Sequence, residues 1–259
     1  MAGRLYRAEG IVLKTTTMGE GDLQVTLLTR DGSKLRAVAW GARKLTSRKM
    51  GHLEPLTRVD LALSKGRDLD SIGQAQSVES FVGLRGNLEA TAKAIYLAEM
   101  VESFANEGSA NPPLYSLFLE TLRTLDNYPE MDALVPYCQL NLLKVLGFMP
   151  ELYQCVECRC EISPGEHRFS VELGGVMCTR CSSGASVMPL SIQALKVLRF
   201  FDRSAHSDLT GLRTSDALNG ELRSILDRAI RYWLDRDVRS RQFMDHLQRE
   251  RVKGAGPRR

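Results

Sequence analysis

Two Cys-x-x-Cys pairs, Cys155 with Cys158 and Cys178 with Cys181, are separated by nineteen residues and decide what the middle of this chain folds around. A two-residue gap lets one chain reversal aim two thiolates at a common ion, and two such reversals complete a tetrahedron at about 2.3 Å per sulfur. Soft thiolates select zinc over calcium or magnesium, although iron occupies similar sites. Four sulfurs leave no open position for water or substrate, so the expectation is one structural Zn2+ per chain. Cys160 and His167 lie close enough in sequence to replace one ligand. A redox role for the pairs fits less well, because no βαβ pattern adjoins them. The remaining cysteine, Cys138, falls on the apolar face of a helical pattern and reads as a buried thiol.

On either side of this insertion the hydrophobic period is informative. Residues 1 to about 78 read as strands: Ile11, Val12 and Leu13 form an apolar block, Leu23, Val25 and Leu27 alternate, and Asp31-Gly32 marks a tight turn into Ser33–Trp40. After a long Gly- and cation-bearing loop, Val59, Leu61 and Leu63 alternate, and a last strand runs over Leu69–Val78. Five short strands in under 80 residues suit a small barrel, of which the oligonucleotide-binding (OB) fold is the nucleic-acid example, with an SH3-like barrel fitting the count almost as well. From Asn87 the period becomes helical. Helices are expected from Asn87 to near Gly108, from Pro112 to before Pro129, over Met131–Leu146 with Gly147 as its stop, from an N-cap at Ser191, and over Asp216–Gln248. The fold class expected is therefore α+β multidomain.

Charge is segregated. The net charge is only +4, yet residues 34–49 hold six cations and no acid, and residues 223–259 hold eleven Lys/Arg against five Asp/Glu. Period-two alternation sends Leu35, Ala37 and Ala39 to one face of the strand and Lys34, Arg36 and Trp40 to the other. Cations attract phosphates and an exposed indole offers a base a stacking platform, so Lys34, Arg36, Trp40, Arg43, Lys44, Arg48 and Lys49 are the candidate nucleic-acid contacts. The competing reading puts Trp40 in the core beneath a solvated basic strand. No P-loop, dinucleotide, nucleophile-elbow or zinc-protease motif occurs. The close acid pairs Glu20/Asp22 and Asp68/Asp70 read as solvated carboxylates at turns, so a binding protein is expected rather than an enzyme. No apolar run approaches the roughly 18 to 20 residues of a membrane span, and a cytoplasmic location is the expectation.

The run GIVLKTTTMGEGDLQVTLLTRDGSKLRAVAWGARK, the following GHLEPLTRVDLAL, the segment LLKVLGFMPELYQC, the two cysteine pairs and the closing RSRQFMDHL together resemble the RecO family of bacterial recombination-mediator proteins. The resemblance implies an N-terminal five-stranded OB fold (1–80), a helical domain (81–150 and 184–250), an inserted zinc module (151–183) holding its ion through Cys155, Cys158, Cys178 and Cys181, and a disordered tail (251–259). It implies binding of single- and double-stranded DNA, strand annealing, and help to RecA in displacing the single-stranded DNA-binding protein together with RecR, in the RecF pathway. The family's basic OB surface falls on Lys34, Arg36, Arg43 and Lys44. The acidic C-terminal tail of the single-strand binding protein docks on the helical domain in such proteins, and Arg123 is the cation offered for it here. A nucleoid-associated cytoplasmic protein follows. A zinc-ribbon nuclease and a protein-binding scaffold are the alternatives.

Overall fold

The structure, a computed structural model, describes residues 4–44, 47–181, 187–234 and 240. The end of the helix expected to reach Gln248, and the tail 251–259, lie outside the described residues. The chain divides into two compact units, Met1–Pro129 with Val238–Arg259, and Glu130–Asp237.

In the first unit, β1 (Leu5–Met18), β2 (Asp22–Thr29), β3 (Lys34–Ala39), β4 (Arg58–Ser64) and β5 (Asp70–Glu79) close into a barrel in the order β1-β2-β3-β5-β4. All neighbours are antiparallel except β3 and β5, which meet in parallel at Ala37↔Asp70 and Val38↔Ser71. This is an OB-type barrel. The alternating residues predict its interior correctly: Val12, Val25, Leu27, Ala37, Ala39, Val59, Leu61, Leu63 and Ile72 form one buried cluster. Each large aliphatic there contributes about 1.5–3 kcal/mol by leaving water. The β2–β3 turn is held by Asp31, whose carboxylate accepts from the hydroxyl of Thr29 and from the backbone and side chain of Ser33. Gly32 is obligatory in it. Its φ is +80°, and a Cβ there would lie 1.8 Å from the carbonyl oxygen of Asn111.

Among the described residues three helices complete this unit: α1 (Val82–Arg85), α2 (Leu88–Phe104) and α3 (Pro112–Asn127). Asn87 and Asn111 cap α2 and α3 by accepting from the N–H groups of Ala90 and Leu114, and Pro112 and Pro113 occupy the first turn of α3, where no N–H is missed. α2 packs on β1, α1 and α3, which is why it is buried nearly all round. It ends at Phe104, short of the expected Gly108. The reason is that residues 105–107 are drawn alongside the barrel, where the Lys34 N–H donates to the carbonyl of Asn106 at 3.0 Å and the backbones of Lys34 and Glu107 form a parallel β-bridge.

The second unit contains α4 (Leu134–Val145), α5 (Ile192–Arg203) and α6 (Asp216–Leu234), which pack on one another, and a three-stranded sheet ordered β7-β6-β8 from β6 (His167–Ser170), β7 (Gly175–Met177) and β8 (Val187–Leu190). Gly147, at φ +84°, terminates α4 as expected, with the N–H of Phe148 returning to the carbonyl of Leu143 at 2.8 Å. Ser191 caps α5 through Ala194, and Cys138 is buried in α4. Leu222, Ile225, Leu226, Ala229 and Ile230 line the buried side of α6. Trp233 is 41% exposed and stacks on Phe148 with ring centroids 4.5 Å apart.

Candidate nucleic-acid interface and metal centre

The seven expected nucleic-acid contacts are not equivalent once folded. On β3, Ala37 and Ala39 enter the core and Arg36 and Trp40 are exposed, the indole 55%, but Val38 between them is buried too, so exposure alternates only in part. The reading that buried Trp40 is thereby set aside. Lys34 and Arg36, however, are held by the helical layer. The Lys34 ammonium donates to the carbonyl of Glu102 at 2.9 Å, and the Arg36 guanidinium is paired with the Glu107 carboxylate. Beyond Trp40 the chain turns through Gly41, whose N–H donates to Asp22 at 2.7 Å, and the N–H of Arg43 reaches the carbonyl of Gly21. The side chains of Arg43, Lys44 and Arg48 are exposed and have no carboxylate partner among the described residues, the Arg43 guanidinium making one long bond of 3.5 Å to the carbonyl of Glu20. Lys49 is half-buried with its ammonium on the carbonyl of Ile72 at 3.0 Å.

The acids differ from expectation. Asp70 is not solvated but buried, accepting from the hydroxyl of Tyr6, the N–H of Gly66 and the Lys65 ammonium. Burial pushes its pKa up, and the Tyr6, Gly66 and Lys65 hydrogen bonds outweigh that and hold it below the usual range. Asp22 is committed to the Gly41 N–H.

A network that no local pattern discloses runs across this unit. Arg58 of β4 contacts Glu9 of β1 at 2.9 Å and Glu79 of β5 at 3.1 Å, Tyr115 of α3 donates to Glu9 at 2.9 Å, and Arg123 of α3 clasps Glu79 with two bonds of 2.9 and 3.0 Å. The Arg123 hydrogen bonds hold the Glu79 carboxyl down despite its burial, and the Tyr115 and Arg58 contacts overcome burial to lower that of Glu9. Arg123, offered for an acidic tail, is therefore already neutralised by Glu79 and by Glu120 at 2.8 Å.

In the second unit, the sulfurs of Cys155, Cys158, Cys178 and Cys181 all lie within 4.8 Å of one another. The chain makes two reversals: the N–H of Arg159 returns to the carbonyl of Cys155 at 2.9 Å, and that of Cys181 to the carbonyl of Cys178 at 3.1 Å. The Cys158 and Cys178 sulfurs are 3.7 Å apart, close to the edge of about 3.8 Å of a tetrahedron with 2.3 Å arms. The quartet therefore fits a tetrahedral metal ion. Burial raises the Cys178 thiol, but backbone N–H groups of Cys181 and Arg180 outweigh it and bring the pKa to about 6. Hydrogen bonds to Cys158 and then Cys178 push Cys181 up to about 12. Cys160 stands outside the quartet with its sulfur 3.4 Å from that of Cys158. His167 is turned away, its Nε2 on the carbonyl of Ser163 at 2.7 Å.

Comparison with known proteins agrees along the whole chain. The family described as "Recombination protein O N terminal" matches residues 1–81, and "Recombination protein O C terminal" matches residues 85–242. Among curated relatives, the DNA repair protein RecO of Roseiflexus sp. (strain RS-1) is 37% identical, with 99% of this chain and 90% of that one covered. That of Desulforudis audaxviator is 36% identical (92% and 96% covered), and that of Dehalococcoides mccartyi 32% identical (93% and 96%).

Proposed function

This chain belongs to the RecO family and has a role in DNA repair and recombination, and we propose that it acts there by binding nucleic-acid backbones and annealing complementary strands, without a chemical step. The observation that carries this reading is the exposed Trp40 followed in the chain by Arg43, Lys44 and Arg48, exposed cations free of carboxylate partners among the described residues, on an OB-type barrel. Positive charge lowers the repulsion between two phosphate backbones, and stacking holds a base without reading its edge. Binding of both single- and double-stranded DNA, weakly dependent on sequence, follows. The quartet Cys155, Cys158, Cys178 and Cys181 holds a structural Zn2+, which supplies folding energy to its module and no catalysis. RecR, the tail of the single-stranded DNA-binding protein, and functional links to RecA and RecF are the partners expected of this role, in a nucleoid-associated setting.

Annealing of complementary labelled oligonucleotides by the purified chain at low salt, beside a single-strand binding titration at two salt concentrations, tests the reading. Accelerated annealing with salt-sensitive binding is expected. A chain that binds neither strand, or binds with no salt dependence, refutes it. The Asp68/Asp70 pair gives no support to a nuclease, since Asp70 is committed to Tyr6, Gly66 and Lys65.

A further inference from the structure

We infer that the path of a single-stranded polynucleotide leaves β3 and passes residues 47–53 into an open groove on the outer face of β1, β4 and β5, with Arg7 at its far side. This deepens the nucleic-acid reading above and rests on it. Three observations point the same way. First, the β3 cations are engaged: Lys34 with the Glu102 carbonyl and Arg36 with Glu107. Second, the loop carries its cations around the barrel. It is pinned to the β1–β2 turn by the Arg43 N–H on Gly21, and to β5 by Lys49 on the carbonyl of Ile72 and by the Ser77 N–H on Nδ1 of His52 at 3.3 Å. Third, the loop ends beside a groove of about 720 Å³ that Arg48, Lys49 and His52 line together with Arg7.

The groove is built by the barrel's register. Arg7 of β1 stands opposite Ala62 of β4, which stands opposite Gln74 of β5, while Asp60 stands opposite Gln76. Cross-strand partners share a face, so these residues form two rows on the outside of the barrel. The floor is low because Ala62 is small and Gly73 is the extra residue between the Ala62↔Gln74 and Leu63↔Ile72 pairs. Of the three cations lining it, Arg48 has no carboxylate partner among the described residues, Arg7 lies 3.9 Å from Asp60, the single carboxylate of the lining, and Lys49 is held by the carbonyl of Ile72. The amides of Gln74 and Gln76 offer donors and acceptors to phosphate, sugar or base edges. No large exposed apolar side chain lines the groove, so it lacks the anchor of a protein-docking pocket. The neighbouring cleft between β1, β3 and the β4–β5 turn fits a polyanion less well, because Glu9, Asp31, Asp68, Asp70 and Glu107 offset its cations.

The test uses the full chain and oligothymidylates of about 4 and about 16 nucleotides, the limits of site size for one OB barrel. Arg7→Gln, and separately Arg7→Gln with Gln74→Glu, alter exposed side chains outside the core; both should fold. The shorter oligonucleotide, anchored at Trp40, should bind within about twofold of wild type. For the longer one, losing the Arg7 contact should flatten the log–log salt slope by at most about 0.7 and weaken binding by up to about eightfold at 50 mM salt, relative to a 1 M reference, because Asp60, 3.9 Å from Arg7, takes up part of the released cation when a phosphate displaces it. Adding Gln74→Glu, which places a carboxylate on the groove floor, should weaken it further. Unchanged binding of the longer oligonucleotide overturns the inference, as does equal weakening at both lengths. Failure of the wild-type chain to bind either length instead overturns the functional reading beneath it.

Discussion

Glu107→Gln is expected to strengthen DNA binding, an unusual outcome for a change on a protein's own surface. Glu107 pairs with Arg36, and the two side chains are 52% and 50% exposed. A pair so exposed contributes about 0–1 kcal/mol to folding, so the variant should fold with at most that loss. In the wild-type chain a phosphate reaching Arg36 must displace Glu107. The freed carboxylate then takes up a cation from solution and cancels the counterion released from the DNA. The glutamine variant has no such cancellation and should gain one net phosphate contact. Each contact on a single strand adds about −0.7 to the log–log salt slope. Relative to wild type, Glu107→Gln should lose about 2.6-fold more affinity between 50 and 200 mM salt, and bind up to about eightfold more tightly at 50 mM. Fluorescence anisotropy of a labelled oligonucleotide across four salt concentrations reads both quantities. Adding Arg36→Gln to the variant should remove the gain. A slope equal to wild type, or weaker binding, would refute the reasoning that Glu107 screens β3.

Trp40→Ala should cost about 1–3 kcal/mol of binding to single strands if a base stacks on the indole, with folding stability changed by no more than about 0.5 kcal/mol because the side chain is largely solvated; a destabilised, binding-competent variant would contradict this. Elemental analysis should find one zinc per chain, and strong chelation or Cys178→Ser should open residues 151–181 to proteolysis while the barrel stays folded; a metal-free preparation with that segment protected would exclude the structural role. Acid should destabilise the first unit. Glu9, Glu79 and Asp70 are held below their ordinary values, so their contribution is present above the unfolded values of about 4 and is lost as pH falls through the lower folded values. Denaturant titrations at pH 7, 4.5 and 3 should show this loss, and Glu79→Gln should reduce it.

Much of the architecture was legible because it rests on local rules. Alternation identified Val59, Leu61 and Leu63 as core, Asp31-Gly32 as a turn and Gly147 as a helix stop, and all behave so. The cysteine quartet was legible for the same reason, since two short reversals are encoded within each pair. What was missed depends on partners distant in sequence. Nothing near Asp70 announces that Tyr6, 64 positions away, will bury it, and nothing near Arg123 announces Glu79. The single-turn helix Val82–Arg85 is too short for any period to reveal.

By itself the sequence determined the kinds of element, the four thiols of the cysteine quartet and the concentration of positive charge between Lys34 and Lys49, because propensity, periodicity and thiolate chemistry act over a few residues. Which of those cations remain available was decided only by the tertiary structure. Closure of the barrel brings the end of α2 and the segment after it against β3, so the Glu102 carbonyl and the Glu107 carboxylate take up Lys34 and Arg36, while the loop delivers Arg48 to a groove shared with Arg7. Charge is a property of a residue, but the competition between a phosphate and an intramolecular partner for that charge is a matter of distance in the folded chain.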